Sequence, residues 1–581
     1  MDRISANNES KKNSYNLRIF LLLLVLTAFF VFIGLRLFNL QILDNKYYAK
    51  LASNQHGQQS TIDAKRGDIY FSSFTNGTPL LVATNITKDT VFAIPKEISD
   101  KKGTAAKLAK LLDMPLSDLS AKIAGSGNYV VLKKKVAADI SDKIKTLKLP
   151  GINLEGQDIR FYPENNLASQ VIGFLGYKAD KRMGQYGIEG KFEKQLAGQS
   201  GSLGADTDAS GISIVSSGKS LIPAQDGDDI YLTLDPAIQY KAQQVLQNTV
   251  AQHGADGGSV VVINPKNGEV LAMANYPDFD PNNYGKVQDN SIFSNKILSA
   301  DYEPGSIFKG ITMAAAINEG KVTPDTIYNN TGSVQVDDKL IKNSDPGLFL
   351  GNQSMITVLD ESLNTGAFFA QQQIGNDTFK KYVDKFGFGK LINFDLPGQV
   401  PGNLDNLNKK GNVFFATGSF GQGITVTPLQ MVQAYSAIAN GGKMSTPYII
   451  NKIVHPDGSE DVPKPKNAVD VLDSKTAATV SAMLVDVVEN GHGKKAAVKG
   501  YYIAGKTGTA QVAFKDRAGY DPNSNIGSFI GFGPVDNPQF LMLVRVDNPK
   551  DVKFAETTAA PAFGEIAQFI LNYLQVPPSR Q

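Results

Sequence analysis

Between Ile19 and Leu35 the chain runs through seventeen consecutive residues without a charge, with Arg18 before them and Arg36 after them. A run of that length predicts one membrane-spanning helix, whose flanking arginines reach the two interfaces of a bilayer. Leu35 to Phe38 lack the small residues a signal-peptidase site requires, which argues against a cleaved leader. An apolar stripe of Leu37, Leu40, Leu43, Tyr47, Tyr48 and Leu51 continues at helical spacing as a stalk and breaks over Ser53 to Ser60.

Beyond it, residues 60 to about 225 alternate β-rich runs (Thr90 to Ile94, Asn128 to Lys133) with short helical ones (Ala105 to Leu112, Leu116 to Ile123). Gly and Ser crowd together from Gly198 to Gly218, the signature of an exposed connection. The texture changes at Asp229. Ile230 to Leu234 reads as a strand and Pro236 to Val250 as a helix capped by Asp235. Gly258 to Asn264 and Glu269 to Ala274 read as strands joined by a Pro-Lys-Asn-Gly turn. Tyr501 to Val512, Ile526 to Phe532 and Gln539 to Val546 read as three more strands, and Ala560 to Leu574 as a closing helix. Strands from both ends of the region enclose a helical middle, which predicts an α+β domain with a mainly antiparallel sheet and helices on both faces. The expected organisation is a cytoplasmic tail (1–18), a transmembrane helix (19–36), a stalk and extended module (37–227), a compact domain (228–577) and a short tail (578–581).

Composition narrows the chemistry. The 581 residues contain no cysteine, which removes thiol nucleophiles, disulfides, thiolate metal sites and lipoprotein acylation. Only four histidines occur (His56, His253, His455, His492), and none lies beside a recognisable serine motif, so a Ser-His-Asp triad is not expected. A net charge of +2 gives no broad basic face, and nucleic acid is not an expected partner. No metal or cofactor is called for. Positive charges on the two sides of the span differ little in number, so the bulk of the chain is placed outside the membrane on its chemistry.

That chemistry lies in three patterns in one order: Ser306-Ile307-Phe308-Lys309, Ser362-Leu363-Asn364 and Lys506-Thr507-Gly508-Thr509. Together they match the signature of serine enzymes that recognise penicillin. Each alone is weak, since a serine after Pro-Gly is usually a helix cap, a helical Ser or Asn is usually solvated and Lys-Thr-Gly is usually a turn. The chain contains decoys too, Ser216 to Lys219 and Ser5 to Asn7. Only the first set has the right contexts.

Ser306 should sit at the amino end of an apolar helix from Ile307 to Ile317 that Gly320 ends, where the helix dipole favours an oxyanion. Lys309, one turn on, can reach the Ser306 hydroxyl and can take its proton if burial and a second cation such as Lys506 keep it neutral. Ser362 and Asn364, read in a helical context from Leu359 to Ile374, form a second wall. There Ser362 can relay a proton and Asn364 can bind a substrate amide. The third motif lies on a strand in which Gly505 and Gly508 should let another backbone approach. An extended peptide could add there with its carboxylate held by Lys506, Thr507, Gly508 and Thr509, while the N–H groups of Ser306 and Thr509 form an oxyanion hole. Pro163, Gly173 and Gly176 read as turn residues, and His492, between two glycines, as a loop tip at the cleft mouth.

The likeness extends well beyond the triplets. From about Arg66 to Pro577 the chain resembles class B penicillin-binding proteins, and Gly493 to Gln511 (GKKAAVKGYYIAGKTGTAQ) resembles most the FtsI-type septal transpeptidases. Further matching segments are Arg160 to Gly176, Gly187 to Gly201, Leu232 to Gln239, Asn267 to Pro277, Tyr302 to Lys309 (YEPGSIFK) and Ser419 to Gln430. One early motif departs from the pattern after Arg66-Gly67-Asp68-Ile69, where the chain reads YFSSFTN. The resemblance implies a pedestal of the penicillin-binding protein dimerisation type before a transpeptidase domain. It implies a peptidoglycan DD-transpeptidase that acylates Ser306 with a stem peptide, releases D-alanine and binds β-lactams. It also implies a place in the cytoplasmic membrane at the septum with other division proteins. The segment between the span and the pedestal reads as too short for a glycosyltransferase domain, so the resemblance implies an FtsW-like polymerase of the SEDS class as partner. The alternatives are side-wall elongation, a β-lactamase or carboxypeptidase, and a penicillin-binding sensor or noncatalytic scaffold.

Overall fold

The computed structural model describes residues 5–45, 57–73, 77–179, 181–206, 220–464, 466–514, 517 and 519–580, and divides into two compact units. The smaller unit comprises residues 1–64 and 198–226. It holds the helix Ser5–Phe38, which runs on through a turn at Asn39–Leu43, so that Ile19–Leu43 is long and apolar enough to cross a membrane. The predicted stalk beyond Asn45 lies outside the described residues as far as His56. The Gly/Ser-rich connection contributes a strand, Gly201–Asp206, between Gly57–Ile62 and Ser220–Ile222 in an antiparallel sheet. Its centre, with the decoy at Ser216, lies outside the described residues.

The larger unit comprises residues 65–197 and 227–581. Its amino-terminal part is built on the strand Leu80–Ala93, which pairs with Ile152–Phe161 along ten residues and with Val130–Val136. Leu108, Leu112, Leu119, Ile123 and Ile144, from three short helices, pack against these strands as a small separate core. Residue 228 falls beside a shared sheet: Asp229–Leu232 pairs in parallel with Ile69–Phe71 and antiparallel with Ile450–Val454.

The carboxy-terminal part is organised by five antiparallel strands: β1 (Gly257–Ile263), β2 (Val270–Tyr276), β3 (Ala504–Ala513), β4 (Tyr520–Gly533) and β5 (Phe540–Asp547). Their spatial order is β2-β1-β5-β4-β3, which leaves β3 on the edge. Strand alternation sends Val261, Ile263, Leu541 and Leu543 into one core and Val260, Val262, Phe540, Met542 and Val544 into another. Helices Pro236–Gln252 and Ala559–Tyr573 close the second core, and the helical middle closes the first. The sheet is therefore apolar on both faces, and the predicted α+β class with helices on both sides is what forms. Two local readings change. β3 starts at Ala504, not Tyr501, because the Tyr501 hydroxyl is bound to the carbonyl of Val576 and Tyr502 accepts from Val535 N. The expected helix over Leu359 to Ile374 is interrupted: one helix ends at Asp360, another starts at Asn364, and Ser362 between them has φ of +55°.

Candidate active site

Pro304 and Gly305 shape the start of the site. Gly305 adopts φ of +58°, which favours glycine, and a Cβ there would crowd the carbonyl oxygen of Thr509 on β3 at 3.2 Å. Its N–H donates to Gly421 O at 3.0 Å. Ser306 follows in a tight turn, Gly305–Phe308, that leads directly into the helix Lys309–Asn318. Ser306 is half-buried at the floor of a cavity of about 330 Å³ that Ser362, Thr507, Thr509, His492 and Phe554 also line.

Lys309 is 1% exposed. Its amine donates to the carbonyl and, at 3.2 Å, to the hydroxyl of Ser362. Burial first, and then the positive charge of Lys506, push Lys309 well below the ordinary lysine range. The expected contact from Lys309 to the Ser306 hydroxyl is not made: the amine is turned to Ser362, and Ser306 makes no side-chain hydrogen bond among the described residues. Asn364 begins the next helix, and its Nδ2 donates to Lys342 O at 2.8 Å. It lines a second cavity, of about 420 Å³, that meets the first at Ser306.

Lys506 has no solvent exposure, and its amine lies 3.3 Å from the Thr507 hydroxyl. Burial lowers it to about 8, against the opposing pull of Asp360 and Glu361. Thr507 and Thr509 line the cleft, whereas Lys506, expected to hold a carboxylate directly, is buried beside Thr507 and is not part of the lining. The glycines of β3 also answer to internal neighbours. A Cβ on Gly508 would lie 3.0 Å from Pro304 O and 2.9 Å from Ile307 Cγ2, and one on Gly505 would lie 2.4 Å from the Phe529 ring. Gly508 thus seats the serine-bearing turn against the strand.

Three motifs far apart in sequence therefore converge on one groove. Such an arrangement can deprotonate a hydroxyl with a neutral amine, pass a proton through a second hydroxyl and accept a peptide along an open sheet edge. Sequence reasoning missed several supports. The Tyr435 hydroxyl donates to Ile307 O, and the Glu303 carboxylate accepts from Gly423 N and Tyr520, both at 3.0 Å. Asp360, two residues before Ser362, is pushed up to about 8 by burial and by Asp486 and Glu361. Only Glu303 lies in a recognisable motif, the segment Tyr302 to Lys309; nothing near Tyr435 or Asp360 in the sequence signals its role. His492 does line the cleft, with Nδ1 2.9 Å from Glu556 and Nε2 3.5 Å from Glu361.

Fold and groove define a serine acyltransferase of the penicillin-recognising class. Residues 258–568 match the penicillin binding protein transpeptidase domain, and residues 61–232 match the penicillin-binding protein dimerisation domain. The chain is 35% identical to stage V sporulation protein D of Bacillus subtilis, over 97% of this chain and 86% of that one. It is 32% identical to the peptidoglycan D,D-transpeptidase FtsI of Escherichia coli K12, over 87% of this chain and 83% of the relative. Penicillin-binding protein 3 of Mycobacterium tuberculosis, solved with aztreonam, superposes with a TM-score of 0.69 at 28% identity, covering 90% of this chain and 98% of that one. The chain belongs to the class B penicillin-binding proteins and is a serine-type peptidoglycan D,D-transpeptidase of cell-wall synthesis.

Proposed function

We propose that Ser306 is the acylated residue of this transpeptidase and that Lys309 is its base. The burial of the Lys309 amine against Ser362, one turn from Ser306 and pushed toward neutrality, carries the reading. Ser306 Oγ attacks the carbonyl carbon of the penultimate D-alanine while its proton passes to Lys309. The amide C–N bond then breaks as Ser362 relays a proton to the departing nitrogen, and terminal D-alanine leaves. The amine of a neighbouring stem attacks the ester, its surplus proton returns to the Ser306 oxygen, and the cross-link is released.

Backbone N–H groups of Ser306 and Thr509 stabilise the oxyanion, each worth roughly 3 to 4 kcal/mol. Asn364 binds the donor amide. Thr507 and Thr509 bind the terminal carboxylate, Gly508 lets the strand meet the serine turn, and Lys506 supplies positive charge from below. Mass spectrometry of the protein after labelled penicillin tests this: one adduct on Ser306 is expected, and an adduct elsewhere, or none, overturns it.

We further propose a single-pass anchor at 19–36, residues 37–227 as stalk and pedestal, and residues 228–577 as a catalytic domain outside the cytoplasmic membrane. The work is septal, beside an FtsW-like SEDS polymerase and other division proteins. Similarity to FtsI supports the septal reading, and the 35% identity to a stage V sporulation protein favours spore-wall synthesis as the second. Depletion separates them: filaments support septation, round cells indicate elongation, and normal growth with defective spores indicates the second reading.

A further inference from the structure

The two cavities share Ser306, Ser344, Thr509 and Phe554, so the cleft forks at the serine. Its arms differ in charge. One carries Asp345, Glu361 and Glu556, with His492 between the two glutamates. The other runs past Asn364 and Gln511 and carries Lys342 and Lys553. Neither lysine ammonium has an ion pair or hydrogen bond among the described residues. Asp521 also lines this arm, but its carboxylate is engaged locally by Asn523 N at 2.9 Å and Ser524 Oγ at 2.8 Å. Among the described residues the arm therefore offers two unpaired cations along the open edge of β3.

We infer that this arm selects donors by charge: Lys342 and Lys553 bind a carboxylate carried by the stem peptide about two residues before the acylated alanine. The inference rests on the reading of Ser306 as the acylated residue. A donor laid along β3 beyond Thr509 advances about 3.3 Å per residue, which brings that group roughly 7 Å from the reacting carbonyl. A carboxylate there meets free ammonium groups, whereas in the other arm it meets three like charges. The specificity follows: a stem whose second residue keeps its free carboxylate is the preferred donor, and the carboxamide form is the poorer one.

The full-length protein in detergent micelles, given two synthetic stem thioesters that differ only in carboxylate or carboxamide at that residue, tests this through thiolate release. The wild-type protein should favour the carboxylate by about fivefold in kcat/KM, and added salt should shrink the preference. Lys342→Gln combined with Lys553→Gln should abolish it; each single variant should reduce it. Because the ratio of the two donors is read, incomplete folding cancels. Equal use of both donors by the wild type, or a preference that survives the double variant and salt, overturns the inference. Failure of both donors and of benzylpenicillin to acylate overturns the Ser306 reading, and this one with it.

Discussion

The Lys309 amine donates to the Ser362 hydroxyl at 3.2 Å, and Ser362 holds a left-handed backbone with φ of +55°. A side-chain residue in that region costs of order 1 kcal/mol, and the cost aims the hydroxyl at Lys309. Ser362→Gly removes the hydroxyl and relieves the backbone, whereas Ser362→Ala removes the hydroxyl alone. Both should slow labelling by fluorescent penicillin about 100-fold or more, and the Gly variant should melt above the Ala variant. Normal labelling in both would remove Ser362 from the proton path.

The pH profile of acylation should be bell-shaped. Lys309 accepts a proton only while neutral, so activity is lost as pH falls through its lowered pKa. Lys506 carries its charge below about 8 and loses it above, so activity should also decline on the alkaline side near that value. Asp360, itself pushed up to about 8, supports the Lys506 charge as it ionises on the alkaline limb. Asp360→Asn should therefore move the alkaline limb of the second-order acylation rate to lower pH; an unmoved limb would exclude that coupling.

Asp360 should also leave a mark on stability. Its folded pKa, about 8, lies above the ordinary value of 3.8 because burial and the neighbouring Asp486 and Glu361 disfavour its charge. Between those values the folded state binds more protons than the unfolded one, so the Asp360 contribution falls as pH rises from about 4 to 8. Thermal midpoints of the Asp360→Asn variant should decline less over that interval than those of the wild type.

Much of this was written plainly in the chain, and the reasons differ by element. β1 and β2 were legible because an Asn-Gly turn joins two apolar runs, and the Ser306 turn because Pro-Gly precedes an apolar helix. The break at Ser362 was not, since apolar periodicity continues through Leu359, Leu363 and Ile374 while a left-handed serine carries no local signal. The glycines of β3 were recognised as close approaches, but the approaching group is Pro304 or Phe529, which only the packed sheet brings near. Burial of Lys506 was equally hidden, because a lysine beside two threonines reads as an exposed cation until the helical middle covers it.

Gly508 offers a sharp contrast with Gly320. A Cβ on Gly508 would lie 2.8 Å from Ser528 Oγ and 3.0 Å from Pro304 O, whereas at Gly320, with φ of +63°, nothing among the described residues lies within 4 Å. Gly508→Ala should push the serine turn away from β3, cost about 1 to 3 kcal/mol and slow acylation by orders of magnitude. Gly320→Ala should cost about 1 kcal/mol through its backbone alone and leave acylation close to wild type. Denaturant unfolding beside penicillin labelling separates the two effects; similar labelling rates in both variants would contradict the packing argument.

Glu189, far from the third motif, should matter for stability alone. It is fully buried, accepts from Arg160 Nε at 2.7 Å and Arg66 Nε at 2.8 Å, and lies 3.2 Å from the Tyr162 hydroxyl. Burial raises its pKa, but Arg160 and Arg66 outweigh that and hold it below the usual carboxylate range. Among the described residues, Arg160 Nη1 and Nη2 already lack hydrogen-bond partners. Glu189→Ala would leave Arg66 to Glu193 at 2.7 Å and Arg160 to the more distant Asp68 at 3.9 Å, a loss of about 3 to 5 kcal/mol carried mainly by Arg160. The Glu189 contribution should be intact at neutral pH and vanish as pH falls through its depressed value, so wild type and Glu189→Ala should converge in strong acid. Unfolding midpoints at several pH values test this, and a constant gap between the two proteins would show that the arginines are neutralised in another way.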